Sequence, residues 1–249
     1  MNRRFKLDVH THTVASGHAY STIDENVRYA SEQGFELVGI SDHAPKMPGG
    51  THNFYFLNLR IIPESLHGIR VLKGAELNIM DQSGRLDLKK GLIKRLDYAV
   101  ASLHVPCIAP MDKDESTQTV INVINNPLVN IIGHPCDPRY PLDIPTVVKA
   151  ARDNNTLLEI NNSSLDPKGS RAGGDKEILE LIKECKRQGL PIILGSDAHF
   201  YTKVGCFDNI IPLLEEAAMP DELIINTSVK AFLDFISIKN KLLRTAETD

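Results

Sequence analysis

Seven of the nine histidines in this chain form an ordered series with two carboxylates: His10 and His12, His18, His43, Glu76, His104, His134, then Asp197 and His199. Imidazole nitrogens and carboxylate oxygens are ligands for zinc, manganese or iron. A single ion needs only three or four protein ligands, so nine candidates point to a cluster of about three divalent ions. If Glu76 bridges two of them, about ten bonds are shared among three ions. Positions then stay open for water and substrate, which marks a catalytic site. Grouped divalent ions suit phosphoester hydrolysis, because they acidify a water and neutralise the phosphoryl and leaving oxygens. Glu76, Asp197 and His12 are the residues expected to be central to that chemistry.

The spacing supports convergence. Alternate residues of a strand share a face, about 6.5–7 Å apart, so His10 projects with His12 and Asp197 with His199. Asp42 and His43 are adjacent and point to opposite sides. His43 is the expected ligand, and Asp42 an orienting group behind it. One strand-end histidine is more often a hydrogen-bonded structural residue. Seven in series, with His-x-His and Asp-x-His pairs, reverse that expectation. His52 lies in a loop expected over the site, within reach of substrate. His67 precedes a glycine in a polar turn and reads as solvated. Cys107, Cys136, Cys185 and Cys206 are scattered, with no Cys-x-x-Cys pair, and read as reduced thiols. Cys136, two residues after His134, is the one placed to touch a metal.

The positioning elements alternate along the whole chain of 249 residues, a length typical of one α/β barrel. Strands are expected at 5–13, 36–43, 70–80, 98–104, 129–134, 156–163 and 191–199. They are nearly continuous apolar runs, as when helices cover the outer face. Thr22-Ile23-Asp24-Glu25 is a capping box opening a helix that stops near Gly34. A second helix at about 175–188 carries Ile178, Leu179, Ile182 and Cys185 on one stripe and stops at Gly189. Seven strands fit a closed ring of seven or a distorted ring of eight, and 53–68 reads as helical. No repeat or linker interrupts the pattern, so residues 1–249 read as a single domain. The connections 44–52, 105–115 and 164–174 rise from the histidine face, where barrel active sites are built. Lys168 and Arg171 in the last of these are the foremost candidates to hold substrate, followed by Arg139, Lys46 and Lys113. The sixth strand donates no ligand. Its end, Asn161 and Asn162, leaves room for substrate, and Asn162 is a candidate contact.

Composition sets further limits. The formal charge of −4 excludes a strongly basic nucleic-acid scaffold, though not an anionic substrate. Three divalent ions would move the formal sum to about +2. No apolar run reaches the roughly 18 residues of a membrane span. The N-terminus has no apolar signal-peptide core, so a cytoplasmic location is expected. The oligomeric state stays open.

The motifs His10-Thr11-His12, Asp42-His43, Glu76, His104, His134 and Asp197-Ala198-His199 resemble the PHP (polymerase and histidinol phosphatase) superfamily over essentially the whole chain. Val14–Thr22, Glu159–Ser164 and Gly195–His199 are most similar to its stand-alone YcdX-type phosphatases. The resemblance implies a distorted (β/α)7 barrel with a trinuclear site, usually described with zinc. It implies that His10, His12, Glu76 and Asp197 hold one ion, that Glu76 bridges to a second held by His104 and His134, and that His18, His43 and His199 hold the third. The expected activity is hydrolysis of a small-molecule phosphomonoester by a metal-activated water. A phosphodiesterase or 3′–5′ exonuclease is the alternative, because related domains are joined to DNA polymerases. A metal-dependent amidohydrolase or a non-catalytic, metal-stabilised interaction domain fits less well. The first commonly recruits a bridging lysine, which no ligand strand supplies here, and the second expects an eroded site.

Overall fold

The computed structural model describes residues 3–245, with side chains through residue 238. Among the described residues, nine strands are present: β1 Leu7–Asp8, β2 Leu37–Ile40, β3 Ser65–Leu66, β4 Ile69–Lys73, β5 Glu76–Asn78, β6 Val100–Ser102, β7 Ile131–Ile132, β8 Leu157–Asn161 and β9 Ile192–Gly195. They form two sheets, ordered β1-β2-β4-β3 and β5-β6-β7-β8-β9. All pairings are parallel except β3 with β4. Short backbone contacts join the two sheets. Thr11 bridges Ala198 in parallel, with His12 N–H donating to Ala198 O at 2.9 Å and Asp197 N–H to His10 O at 2.9 Å. His43 bridges Glu76, with Ala44 N–H donating to Glu76 O at 2.9 Å. The result is a distorted barrel of seven parallel strands, in which the expected strand 70–80 is split into β4 and β5.

That split has a local cause. The Tyr98 ring is fully buried in the barrel and donates to Val9 O at 2.6 Å. At Gly74 the backbone runs against this ring, and a Cβ there would overlap it. Gly74 N–H still pairs with Ile40 O at 2.7 Å, but Val100 N–H already pairs with Ala75 O at 3.0 Å. The β2 side is taken up again at once, by Glu76 N–H donating to Asp42 O at 3.1 Å, so the regular strand is interrupted only over Gly74 and Ala75. The other ladders also end earlier than the apolar runs suggest. His134 and Asp197 have φ of 30° and 57°, so the chain leaves the pleat as it reaches the histidine face.

Each of the seven strands contributes a side chain to an inner apolar layer: Leu7, Leu37, Leu72, Val100, Ile131, Leu157 and Ile193. Phe232 and Ile236 of the last helix, α8 (Val229–Thr245), pack onto this layer with Ile225 and close the end opposite the histidines. A second core lies outside the strands, beneath α1 (Ile23–Glu32), α4 (Lys113–Ile124), α5 (Ile144–Asp153) and α6 (Asp175–Gln188). The capping box of α1 forms as expected, and α6 ends at Gly189 in a left-handed cap. On α6 the buried stripe is Ile178, Leu181, Ile182 and Cys185, and Leu179 is only half-buried. Segment 53–68 is only partly helical. After α2 (Asn53–Asn58) and one 3₁₀ turn, it enters a hairpin of β3 and β4. His67 and Gly68, with φ of 50° and 78°, make its two-residue turn, a conformation that matches the twist of a hairpin. Among the described residues, no helix is long and apolar enough to cross a membrane.

A pair of glycine substitutions tests the packing around Tyr98. Gly74→Ala forces a methyl group into the ring and is expected to destabilise by about 1–3 kcal/mol. Gly91 lies in the short helix α3 (Lys90–Ile93) with open space where its Cβ would stand. Gly91→Ala is expected to be neutral or stabilising by up to about 1 kcal/mol. Urea unfolding of both variants checks this, and equal shifts would contradict the assigned packing.

Candidate metal centre

Glu76, the first residue of β5, is fully buried at the centre of the histidine face. Its Oε1 lies 2.9 Å from His134 Nε2, 3.2 Å from His104 Nε2 and 3.4 Å from His10 Nε2. Its Oε2 lies 2.7 Å from His43 Nδ1 and 3.6 Å from His12 Nε2. Asp197, just past β9, places Oδ1 at 3.2 Å from His12 Nε2, 3.5 Å from His199 Nδ1 and 3.7 Å from His10 Nε2. His18 stacks on His43 and His199, with ring centroids 4.9 Å away in both cases. All nine residues are therefore brought together. Ligand atoms cluster as His10, His12 and Glu76, as His43, Glu76 and His104, and as His12, His43 and His199. His43 and His12 each stand in two groups, as does Glu76, and Asp197, His134 and His18 lie outside the three.

Partners behind the rings fix which nitrogen faces inward. His10 Nδ1 is 2.6 Å from Glu159 Oε1, and His104 Nδ1 is 2.7 Å from Asn78 Oδ1. His12 Nδ1 is 3.1 Å from Ser16 Oγ, which donates to Asp42 Oδ1 at 2.7 Å. Asp42 also accepts from Thr13 N–H, Thr13 Oγ1 and Tyr55 OH, so it is an orienting group turned away from Glu76. These contacts follow the way metal-binding histidines are held, through an acceptor on the far nitrogen.

Glu159, in the middle of β8, is the main residue that spacing arguments missed. It also accepts His134 N–H at 2.7 Å and Asn161 Nδ2 at 3.1 Å. The barrel leaves space for it at Gly195, where a Cβ would overlap its carboxylate. Its signal was present: Glu159 and Asn161 are polar at alternate positions of an otherwise apolar strand, so both point inward.

The donor set fits divalent ions. His10 Nε2, His12 Nε2, His43 Nδ1, His134 Nδ1 and Glu76 Oε2 are buried without a hydrogen-bond partner. Buried polar atoms are seldom left unpaired, and the atoms on His10, His12, His43 and Glu76 belong to the clustered groups, whereas His134 turns its Nε2 to Glu76. Charge is arranged to match. Burial raises the Glu76 carboxyl, but His104, His43 and His10 outweigh it and hold it well below the usual carboxylate range. Burial likewise opposes ionised Asp197, and Arg171, His10 and His12 overcome it. Burial pushes His104 down to about 4, which leaves a neutral imidazole able to donate a lone pair.

A cavity of about 490 Å³ opens above these residues. Arg171 and Arg139 line it, whereas Lys168, Lys46 and Lys113 are exposed elsewhere. Arg171 is already tied to Asp197 Oδ2, and its Nε donates to Ser164 Oγ at 2.9 Å. Asn162 does not face the cavity. Strand alternation turns it outward, where its Oδ1 accepts Asn209 N–H at 3.0 Å, and Asn161 occupies the inward position. His52 instead caps α2, accepting from Phe54 N–H at 3.2 Å. His67 pairs with Asp24 at 2.7 Å in its hairpin turn. Cys136 is buried in the outer core, and burial raises its thiol far above the ordinary value, so it is no ligand here.

Comparison with known proteins agrees with this geometry. The PHP domain family matches residues 8–245, and the chain belongs to it. A probable phosphatase of Clostridium novyi is 48% identical over 239 residues, covering 96% of this chain and 97% of that one. Histidinol phosphate phosphatase from Lactococcus lactis, solved with zinc, L-histidinol and phosphate, superposes with a TM-score of 0.58 at 18% identity, covering 86% of this chain and 94% of that one. A chain of an archaeal ribonuclease P solved with mature tRNA gives a TM-score of 0.60 at 12% identity, covering 96% and 93%. Likeness at that level establishes the shared fold alone, because one fold hosts many functions.

Glu159→Gln keeps the side chain's size but turns one acceptor oxygen into a donor, facing either His10 Nδ1–H or His134 N–H. Metal affinity is expected to fall about 10–100-fold, as for other partners behind a ligand. Competition with a chromophoric chelator reads this directly. Unchanged affinity would reduce Glu159 to a filler of the barrel.

Proposed function

We propose that this chain hydrolyses a small-molecule phosphomonoester at a centre of three divalent ions. It is a metal-dependent phosphoesterase of the PHP family, and the observation that carries the reading is the set of unpartnered donor atoms around Glu76 beneath an open cavity. His10, His12, His18, His43, Glu76, His104, His134, Asp197 and His199 would hold the ions, with Glu76 shared between two. When bound, such ions acidify water and neutralise charge on the phosphoryl and leaving oxygens. Zinc suits imidazole and carboxylate donors and is present in the Lactococcus lactis enzyme, and manganese or iron fits the same donors. Residues 1–249 would act as one domain. Four unpaired cysteines agree with a reducing, cytoplasmic setting.

The protein's own groups have separable tasks. Asp197 and His12 stand side by side and would hold one ion between them. Arg171, anchored through Asp197 and Ser164, presents its remaining edge to the cavity, where a planar fork matches a phosphoryl group. No lysine lines the cavity, which disfavours the bridging-lysine chemistry of amidohydrolases.

Protein purified without chelator is expected to carry about two to three metal equivalents, each ion needing three or four protein ligands. A fully active preparation with one equivalent or fewer would sink the trinuclear reading. Glu76→Ala should lower kcat/KM at least about a hundredfold, near 2.7 kcal/mol of transition-state stabilisation. His67→Ala, in the distant hairpin, is the silent control. Hydrolysis of p-nitrophenyl phosphate but not of its bis-ester is expected, and the reverse preference would establish a phosphodiesterase. Arg171→Lys should restore only part of the activity lost in Arg171→Ala, because an ammonium cannot reproduce the paired contacts.

A further inference from the structure

We infer that the natural substrate carries a second anionic group, a carboxylate or another phosphate, and that Arg139 receives it. This rests on the phosphomonoesterase reading above and names the class of molecule that fits it.

Arg139 follows β7 and lines the same cavity as the nine clustered residues, yet its hydrogen bonds involve none of them. Its guanidinium is held on one side only. Nε donates to Asp137 Oδ1 at 2.8 Å and Nη2 to Asp137 Oδ2 at 2.6 Å. Asp137 is buried, and although burial raises its carboxyl, the hydrogen bonds from Arg139 bring it below the ordinary value. The pair fixes the plane of a guanidinium whose side chain remains 36% exposed. Among the described residues, Nη1 has no protein partner. A turn staple has no need to present that free edge at a cavity wall. A fork held by a buried carboxylate is pre-organised for an oxyanion and loses little freedom on binding one.

The rest of the cavity sets the scale of the molecule. Arg171, from the loop after β8, is tied to Asp197 and so stands at the phosphoryl end. Arg139 bonds to Asp137 and takes no part in that contact. Met47, Val105 and Pro106 supply a short apolar wall, and Ser163 and Ser170 supply hydroxyls. Tyr140 OH donates to Ile108 O at 2.6 Å, tying the loop that carries Arg139 to the one that carries Val105. The volume of about 490 Å³ exceeds what a phosphoryl group alone fills and lies in the range of small-metabolite sites. A compact polar carbon skeleton with an anion at each end satisfies both arginines.

The test uses matched substrates. Phosphate release from the metal-loaded enzyme is measured with 3-phosphoglycerate against glycerol 3-phosphate, and with fructose 1,6-bisphosphate against fructose 6-phosphate. The first pair adds a carboxylate and the second a phosphate, so the arms separate the two sources. Wild-type enzyme is expected to favour the member with two anionic groups in at least one pair by about tenfold or more in kcat/KM, mostly through KM. In Arg139→Ala that ratio should fall to near one, and in Arg139→Lys it should recover only in part. Because the readout is a ratio, a general loss of activity does not mimic it, and the wild-type ratio stands even if a variant fails to fold. Calorimetric binding of the same pairs separates the two readings. Discrimination in binding without any hydrolysis would overturn the phosphomonoesterase reading and leave the anion site standing. A wild-type ratio near one in both pairs, or a ratio unchanged in Arg139→Ala, would overturn the role given to Arg139.

Discussion

A fully buried carboxylate among five imidazole rings is the constraint around which this molecule is built. Taken alone, a buried Glu76 would be costly by several kcal/mol. It is held by His10, His12, His43, His104 and His134, which reach it from four different strand ends. Each ring is in turn oriented by position or by a partner behind it: Glu159, Ser16 and Asn78 for three of them. Among the described residues, half of the ten buried side-chain atoms without a partner belong to Glu76 and these histidines. That imbalance is where a chemical role has been purchased at the expense of stability.

The barrel is adapted to that centre from below. One apolar side chain from each of seven strands makes the inner layer, and α8 closes it with Phe232 and Ile236. Tyr98 within this layer and Glu159 behind His10 are two large side chains accommodated because Gly74 and Gly195 have none. The apolar layer keeps water from the lower half, so the polar half stands on a dry, rigid floor. Orienting groups such as Glu159 act at full strength there, since little solvent screens them.

Much of this was legible from residue order. The ligand series follows the strand ends, and a parallel barrel brings such ends to one face whatever the intervening helices do. The capping box at Thr22 and the stop at Gly189 marked helix bounds because their signals are local. What escaped depends on contacts far apart in sequence. The break between β4 and β5 comes from Tyr98, which is 24 residues beyond Gly74. Asn161 and Asn162 differ only by strand parity, and the strand's frame had to be known to choose between them. The first strand of the β3–β4 hairpin falls inside 53–68, a stretch expected to be helical, although His67 and Gly68 themselves read as a polar turn. Whether Arg171 meets substrate or a carboxylate is decided by a loop without regular structure, for which sequence periodicity carries no information.

The two seams where one sheet meets the other are each held by a short run of backbone hydrogen bonds. One lies between His10–His12 and Asp197–His199, the other between His43 and Glu76. Candidate ligands sit on both sides of each seam. A cation gripped across a seam would act as a rivet, adding stronger bonds to the few backbone hydrogen bonds that cross it. Chelation would thus loosen the hoop as well as remove the chemistry. Amide protons beside Thr11, His43, Glu76 and Ala198 would exchange faster than those in the middle of β8, which no ion spans.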